Sequence, residues 1–341
     1  MSILRLENVQ RVNTIDSGSS LSRISFEAEE GEILALTGET GSGVGTLLRI
    51  IAGLERFDAG NVYLAGKNHG HKNNSARKIG MVFQGNALFP NLTLFENVKF
   101  GLEGSKKTIE DKAKSCLILV GLKRDAEKYP SEVKAEDQFR TALARAIASQ
   151  PDFLLLNEPF SGLRPMKKNQ FISEIRELIK KVGITTVLNT SDKEVALSFA
   201  DRVAIFHKGY LQQLAVPQII YQDPVNSYVA NFFGKRNEVL ATATNDGFYT
   251  SFGFIDDERS KNYSNKAKIL FRPEEVKVKK SLRQALIGTV RQCSYFGDHQ
   301  MVTLEDDLGK PILVKSSPNR VYNTGSNVFF TLKTFKVEDA Y

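Results

Sequence analysis

In the stretch ALTGETGSGVGTLLRIIAGL, residues 35–54, Gly38, Gly41 and Gly43 alternate with small polar residues just before an apolar run. Glycines so spaced let consecutive backbone N–H groups curl around an anion, and the N-terminus of the following helix adds a favourable dipole. The chemistry is phosphate gripping. Its catalytic form asks for Gly, four variable residues, then Gly-Lys-[Ser/Thr]: the lysine bridges the terminal phosphates and the hydroxyl holds magnesium. Here Ser42 and Gly43 are followed by Val44 and Gly45, and Thr46 comes one residue too late to be the magnesium hydroxyl. The turn is present without its cation or its metal anchor.

A phosphate loop needs a strand before it and a helix after it, and the surrounding pattern supplies both. EILAL at 32–36 reads as an apolar strand and TLLRIIAGL as the helix. SILRLENV at 2–9 and SRISFEA at 22–28 read as short strands around a polar turn. KIGMVFQ at 78–84, DFLLLNEP, ITTVLNTS and RVAIFHKG are further strands, and helices are expected over 108–122, 136–149 and 167–182. Apolar strands alternating with helices predict a parallel sheet covered on both faces. From about residue 236 the pattern changes to short, turn-punctuated strands such as KAKILFRPEEVKV and NVFFTLK, which predict a small antiparallel barrel, joined through the helical VPQIIYQDPVNSYVANFFG. The expected division is residues 1–235 and 236–341.

A chain of 341 residues is long enough for about two domains. Its 41% hydrophobic and 25% charged residues exclude disordered, collagen-like and coiled-coil classes. The formal charge of +7 comes from cations interleaved with acids, so nucleic acid is not an expected partner. No stretch approaches the ~18 apolar residues of a spanning helix, and MSILRLENVQ has no signal-peptide layout, which predicts a cytoplasmic protein. Cys116 and Cys293 lack redox or metal spacing and are expected as free thiols.

Together with VFQGNALFPNLTLFENV, ALARAIASQPDFLLLNEPFSGL and FADRVAIFHKG, the glycine loop resembles the ATP-binding subunit of an ABC importer. The tail motifs FRPEEV and GTVRQCSYFGDHQMV resemble the C-terminal TOBE-type accessory domain of ferric-ion, polyamine, sulfate or sugar uptake systems. The resemblance implies an α/β, P-loop NTPase-like ABC ATPase core with a helical subdomain, followed by a small all-β OB/TOBE-like domain. It also implies ATP and magnesium as cofactors, a membrane permease as partner, and a peripheral position at the inner face of the membrane.

The positions that the family uses can be followed one by one. The adenine-stacking aromatic falls near Asn13, and the lysine and hydroxyl positions are Val44 and Gly45. Gln84 is retained where the family senses magnesium and the permease. The signature Leu-Ser-Gly-Gly-Gln is Val133, Lys134, Ala135, Glu136 and Asp137. The Walker B aspartate is Asn157, beside a surviving catalytic glutamate, Glu158. Arg164 ends the segment where the family has aspartate, and Ser191 replaces the switch histidine. The framework between these positions is kept.

A charge-assisted hydrogen bond contributes about 1.5–3 kcal/mol, so losing the lysine alone weakens phosphate binding roughly tenfold to a hundredfold. Valine is expected to leave an apolar group beside the phosphates. Gly45 and Asn157 remove two holders of magnesium, and carboxylates at 136 and 137 would repel a partner's terminal phosphate by about 4 kcal/mol at ~4 Å. In this family each ATP lies between the loop of one chain and the signature of another. A chain with both defects impairs both composite sites, whether it forms a homodimer or pairs with a competent partner. The expectation is a relative of an importer ATPase that has kept the fold and lost hydrolysis, with weak or absent ATP binding. The alternatives are a functional import ATPase and a non-enzymatic protein that docks on a transporter.

Overall fold

The computed structural model describes residues 2–12, 20–70, 77–163, 165–263, 265–279 and 285–340, with the backbone alone at 165–167. The chain forms two compact units, residues 1–232 and 233–341.

The first unit contains β1 (Ser2–Arg11), β2 (Leu21–Glu29), β3 (Ile33–Gly38), α1 (Val44–Ala52), β4 (Ala59–Leu64), β5 (Lys67–Asn68) and β6 (Ile79–Val82). It continues with α2 (Leu94–Lys99), α3 (Lys106–Leu119), α4 (Ala135–Ala148), β7 (Phe153–Asn157), α5 (Pro165–Val182) and β8 (Thr185–Asn189). It closes with α6 (Lys193–Phe199), β9 (Arg202–His207), β10 (Tyr210–Ala215), α7 (Pro217–Gln222) and α8 (Ser227–Phe233). A six-stranded sheet runs β10-β9-β3-β8-β7-β6, parallel except for the β9–β10 hairpin, and a four-stranded antiparallel sheet runs β2-β1-β4-β5. The central strands are buried on both faces, so they read as continuous apolar runs: Phe153 to Leu156 are fully buried. α1 packs on β3, β7 and β8 and is buried through Leu47, Leu48, Ile50 and Ile51.

The helical subdomain has its own small core of Leu94, Val98, Leu117, Val120 and Ala144, joining α2, α3 and α4. α2 starts at a reciprocal cap, in which the Thr93 hydroxyl accepts the Glu96 N–H and the Glu96 carboxylate accepts the Thr93 N–H.

The second unit contains β11 (Asn237–Ala243), β12 (Gly247–Thr250), β13 (Gly253–Asp256), β14 (Lys266–Phe271), β15 (Val276–Lys279) and β16 (Leu286–Tyr295). β17 (Gln300–Glu305), β18 (Pro311–Ser316), β19 (Asn327–Leu332) and β20 (Lys336–Asp339) complete it. Two five-stranded antiparallel sheets, β13-β12-β11-β14-β20 and β15-β19-β16-β17-β18, share one core. Within it Phe252 meets Phe330 edge to face at 5.8 Å. The expected all-β domain is there as two sheets facing each other.

Candidate nucleotide site

The loop between β3 and α1 is shaped by backbone and by the absence of Cβ atoms. A Cβ on Gly38 would lie 2.4 Å from the Phe206 carbonyl oxygen and 2.7 Å from Ser42 Oγ. Gly43 caps α1 at φ 95°, and a Cβ there would lie 2.6 Å from Leu21 Cδ2. Gly41, at φ 86°, is also left-handed, with open space around it. The Ser42 N–H donates to the Glu39 carbonyl at 2.9 Å, and the Gly209 N–H donates to the Ser42 carbonyl at 3.1 Å, tying the loop to the β9–β10 turn.

Val44 is 4% exposed and belongs to the core cluster of α1, β1 and β2. An isopropyl group gains more by leaving water than by lining a polar cradle. Gly45 contributes no side chain. Thr46 is buried, and its hydroxyl accepts from Arg49 Nη2 at 3.2 Å, while the same guanidinium is ion-paired with Glu55 at 2.5 Å.

The ends of β7 and β8 lie in register, Asn157 opposite Asn189. Asn157 Oδ1 accepts from Asn189 Nδ2 at 2.8 Å, so the oxygen that replaces the metal-holding carboxylate is engaged in a neutral amide pair. Glu158 adopts a left-handed φ of 46°; its N–H donates to the Asn189 carbonyl and its Oε1 accepts the Ser191 N–H at 2.7 Å. The structure thus brings Asn157, Glu158 and Ser191 to neighbouring strand ends, with Asn157 engaged by Asn189 and Glu158 by Ser191. Next to them Asp192 caps α6 through the N–H groups of Glu194 and Val195 and is ion-paired with Lys168. Burial would raise the Asp192 carboxyl, yet the Lys168 hydrogen bond, the two N–H groups and the Lys168 charge hold it below the usual carboxylate range.

Gln84 is exposed after β6. The turn that follows is fastened by Arg145, whose guanidinium donates to the carbonyls of Asn86 and Ala87 at 2.9 Å each. Lys134 caps α4 with no side-chain hydrogen bond, Val133 precedes it, and Ala135, Glu136 and Asp137 form the first turn. Glu136 and Asp137 line a shallow cavity of about 240 Å³ with Arg140 and Glu174, and those last two form an ion pair at 2.6 Å. The expectations at Asn13 and Arg164 lie outside the described residues.

Three contributors are missing from the reading of the sequence. Asn189 is visible only as the register partner of Asn157, 32 residues away. Glu39 places an exposed carboxylate in the loop itself, a like charge for any phosphate, and its position inside GETGSG was signal enough to find it. Tyr228 reaches the loop from α8: its hydroxyl donates to the Phe206 carbonyl at 3.2 Å and meets the Glu39 backbone, and its ring lies 3.9 Å from that of His207. Burial pushes its phenol up.

The magnesium site fails a test of its donors. Gly45 has no side-chain hydroxyl to offer, and the Asn157 amide oxygen is neutral and already accepts from Asn189. The backbone cradle still has an anion-binding shape, so the arrangement fits phosphate oxygens better than it fits a divalent ion.

A parallel sheet with a glycine loop opening into α1, a helical subdomain and an antiparallel lobe defines the P-loop nucleotide-binding class, in its ATP-binding-cassette form. The ABC transporter family model matches residues 21–161 and the TOBE domain model residues 269–334. The spermidine/putrescine import ATP-binding protein PotA of Acetivibrio thermocellus is 31% identical over 98% of this chain and 95% of its own length. The Fe(3+) ions import ATP-binding protein FbpC of Agrobacterium fabrum is 31% identical over 96% and 94%. Among solved structures, the ATP-binding cassette MJ0796, dimeric in a post-hydrolysis state bound to ADP and Pi, superposes with a TM-score of 0.55 at 27% identity, covering 63% of this chain and 98% of that one. This chain belongs to the family of ABC importer ATP-binding subunits with a C-terminal TOBE domain.

Proposed function

We propose that this chain is the cassette subunit of an import-type ABC assembly, docked on a membrane permease, whose own sites have lost ATP hydrolysis. The observation that supports this most is the Asn157–Asn189 amide pair: the metal-holding position has become part of the chain's internal hydrogen bonding. The buried Val44 and side-chain-free Gly45 agree with it. Phosphoryl transfer depends on positioning and on cations placed where negative charge gathers, and a loop with Val44 and Gly45 at those positions supplies no side-chain cation there.

Docking is supported by the segment after β6, which exposes Phe83, Phe89 and Phe100 on the subdomain where the family resemblance places the permease contact. The Phe89 and Phe100 rings lie 4.3 Å apart, a compact apolar surface. The subunit would sit at the inner face of the membrane, as a homodimer or beside a competent cassette. No described helix is long and apolar enough to cross a membrane.

A second reading, a working import ATPase, is favoured by the match along 98% of the chain to a relative named as an import ATP-binding protein. Steady-state ATPase assays with the permease bound separate the two. The proposal expects no magnesium-dependent turnover above background; rates of ~1 per second or more would end it and establish the second reading.

A further inference from the structure

The link from β6 to α2 contains a strained run of backbone. Gly85, Asn86 and Ala87 follow one another at φ 74°, 67° and 46°, and among the described residues no other two consecutive non-glycine residues take a left-handed φ. In that conformation the Cβ crowds the backbone, so it persists only where surrounding bonds over-determine it.

Two side chains from different helices supply those bonds. From α4, Arg145 donates to the carbonyls of Asn86 and Ala87 through separate guanidinium nitrogens, at 2.9 Å each, and its cation lies 5.9 Å from the centre of the Phe89 ring. From α2, the fully buried Asn97 is turned wholly onto the same segment. Its Oδ1 accepts the Phe89 N–H at 2.8 Å, and its Nδ2 donates to the carbonyls of Phe89, Leu92 and Thr93 at 3.1, 3.1 and 3.0 Å.

What these polar side chains hold in place is apolar and faces water. Phe89 is 36% exposed and Phe100 56%, with their rings 4.3 Å apart. A phenylalanine on a surface turn gains by moving out of water, so a ring kept outside needs a backbone that is not free to fold inward. A buried amide and a forked guanidinium that fix a strained turn under an exposed ring add nothing to the core. They serve the group that covers the ring.

We propose that Asn97 and Arg145 are positioning residues for the permease contact, which together hold residues 85–93 in the one shape that sets Phe89 beside Phe100 for the partner. The inference rests on the docking reading above and names the side chains that build that surface. Arg145 fixes the strained turn and Asn97 the segment after it. Loss of either frees Phe89, while α2 keeps its own reciprocal cap from Thr93 and Glu96.

The test uses the full-length chain, with hydrogen exchange over residues 85–93 as one readout and affinity for the permease in lipid nanodiscs as the other. Arg145→Lys, which keeps a cation and loses the fork, and Asn97→Ala are each expected to speed exchange in that segment about tenfold, leave α3 unchanged, and weaken permease binding about tenfold. Adding Asn86→Gly and Ala87→Gly to Arg145→Lys removes the opposition to left-handed φ and is expected to regain most of the binding, a rescue that a merely structural arginine would not show. Should Asn97→Ala melt below the parent, Arg145→Lys and its glycine rescue are read alone. Phe100→Ser separates the proposal from the reading beneath it. An unchanged affinity in Phe100→Ser ends the docking reading, and the proposal with it. Affinity lost in Phe100→Ser but kept in Arg145→Lys and Asn97→Ala chains whose segment exchanges freely, or affinity that the glycines fail to restore, overturns the positioning proposal and leaves the docking reading standing.

Discussion

The phosphate loop, residues 38–46, and the strand ends at Asn157–Glu158 and Asn189–Asp192 serve one site in this family, and in this chain they are held by opposite means. The loop is held by smallness: Gly38 and Gly43 sit where any Cβ would strike the Phe206 carbonyl or the Leu21 side chain. The strand ends are held by polarity: an amide pair, a carboxylate on a backbone N–H and a capped helix. At the loop Val44 joins the core and Gly45 carries no side chain. At the strand ends Asn157 is bonded to Asn189 and Glu158 to Ser191. Neither replacement disturbs the fold, which is why likeness of fold to relatives that bind ATP leaves the chemistry of this chain to be decided by a handful of side chains.

Four experiments, taken from the largest expected effect to the smallest, sharpen or break that contrast. Gly38→Ala is expected to destabilise the chain by about 3 kcal/mol in urea melts, since backbone at 2.4 Å cannot give way. Asn157→Leu, which strands the Asn189 amide in a half-buried setting, is expected to cost about 2 kcal/mol, whereas Asn157→Asp, which still accepts from that amide, should stay within about 1 kcal/mol of the parent. Gly41→Ala meets no neighbour and bears only left-handed strain, about 1 kcal/mol. If Gly41→Ala proved as damaging as Gly38→Ala, close packing would not be what shapes the loop.

The smallest effect concerns pH. Asp192 is held below the ordinary carboxylate range in the folded chain, so its contribution is fully present above an unfolded value of about 3.9 and is lost as pH falls through the lower folded value. Asp192→Asn is expected to flatten the acid limb of stability below about pH 4 while leaving the neutral plateau only slightly lower. An unchanged acid limb would mean that the Lys168 pair and the α6 cap contribute little at the strand end.

Much of this was legible from residue order alone. The glycine spacing before an apolar run announced the loop, and the runs LLLN and VAIF announced buried parallel strands, because both are local patterns. The β4–β5 hairpin and strands β11 to β13 went unread: NVYLAG and EVLATA are short, and their pairing is set by partners elsewhere in the chain. Burial of Val44 and the bond from Asn189 to Asn157 were hidden for the same reason, since each depends on which distant strand arrives alongside.

The claim on which the account turns is that a cradle can keep its form after losing its cation and its metal anchors. Calorimetry of Mg-ATP binding tests it most directly, comparing the parent chain with a variant carrying Val44→Lys, Gly45→Ser and Asn157→Asp, both shown to melt cooperatively. The parent is expected to give almost no heat and the variant a saturable isotherm at least tenfold tighter. Tight, magnesium-dependent binding by the parent, unimproved by the three substitutions, would contradict it.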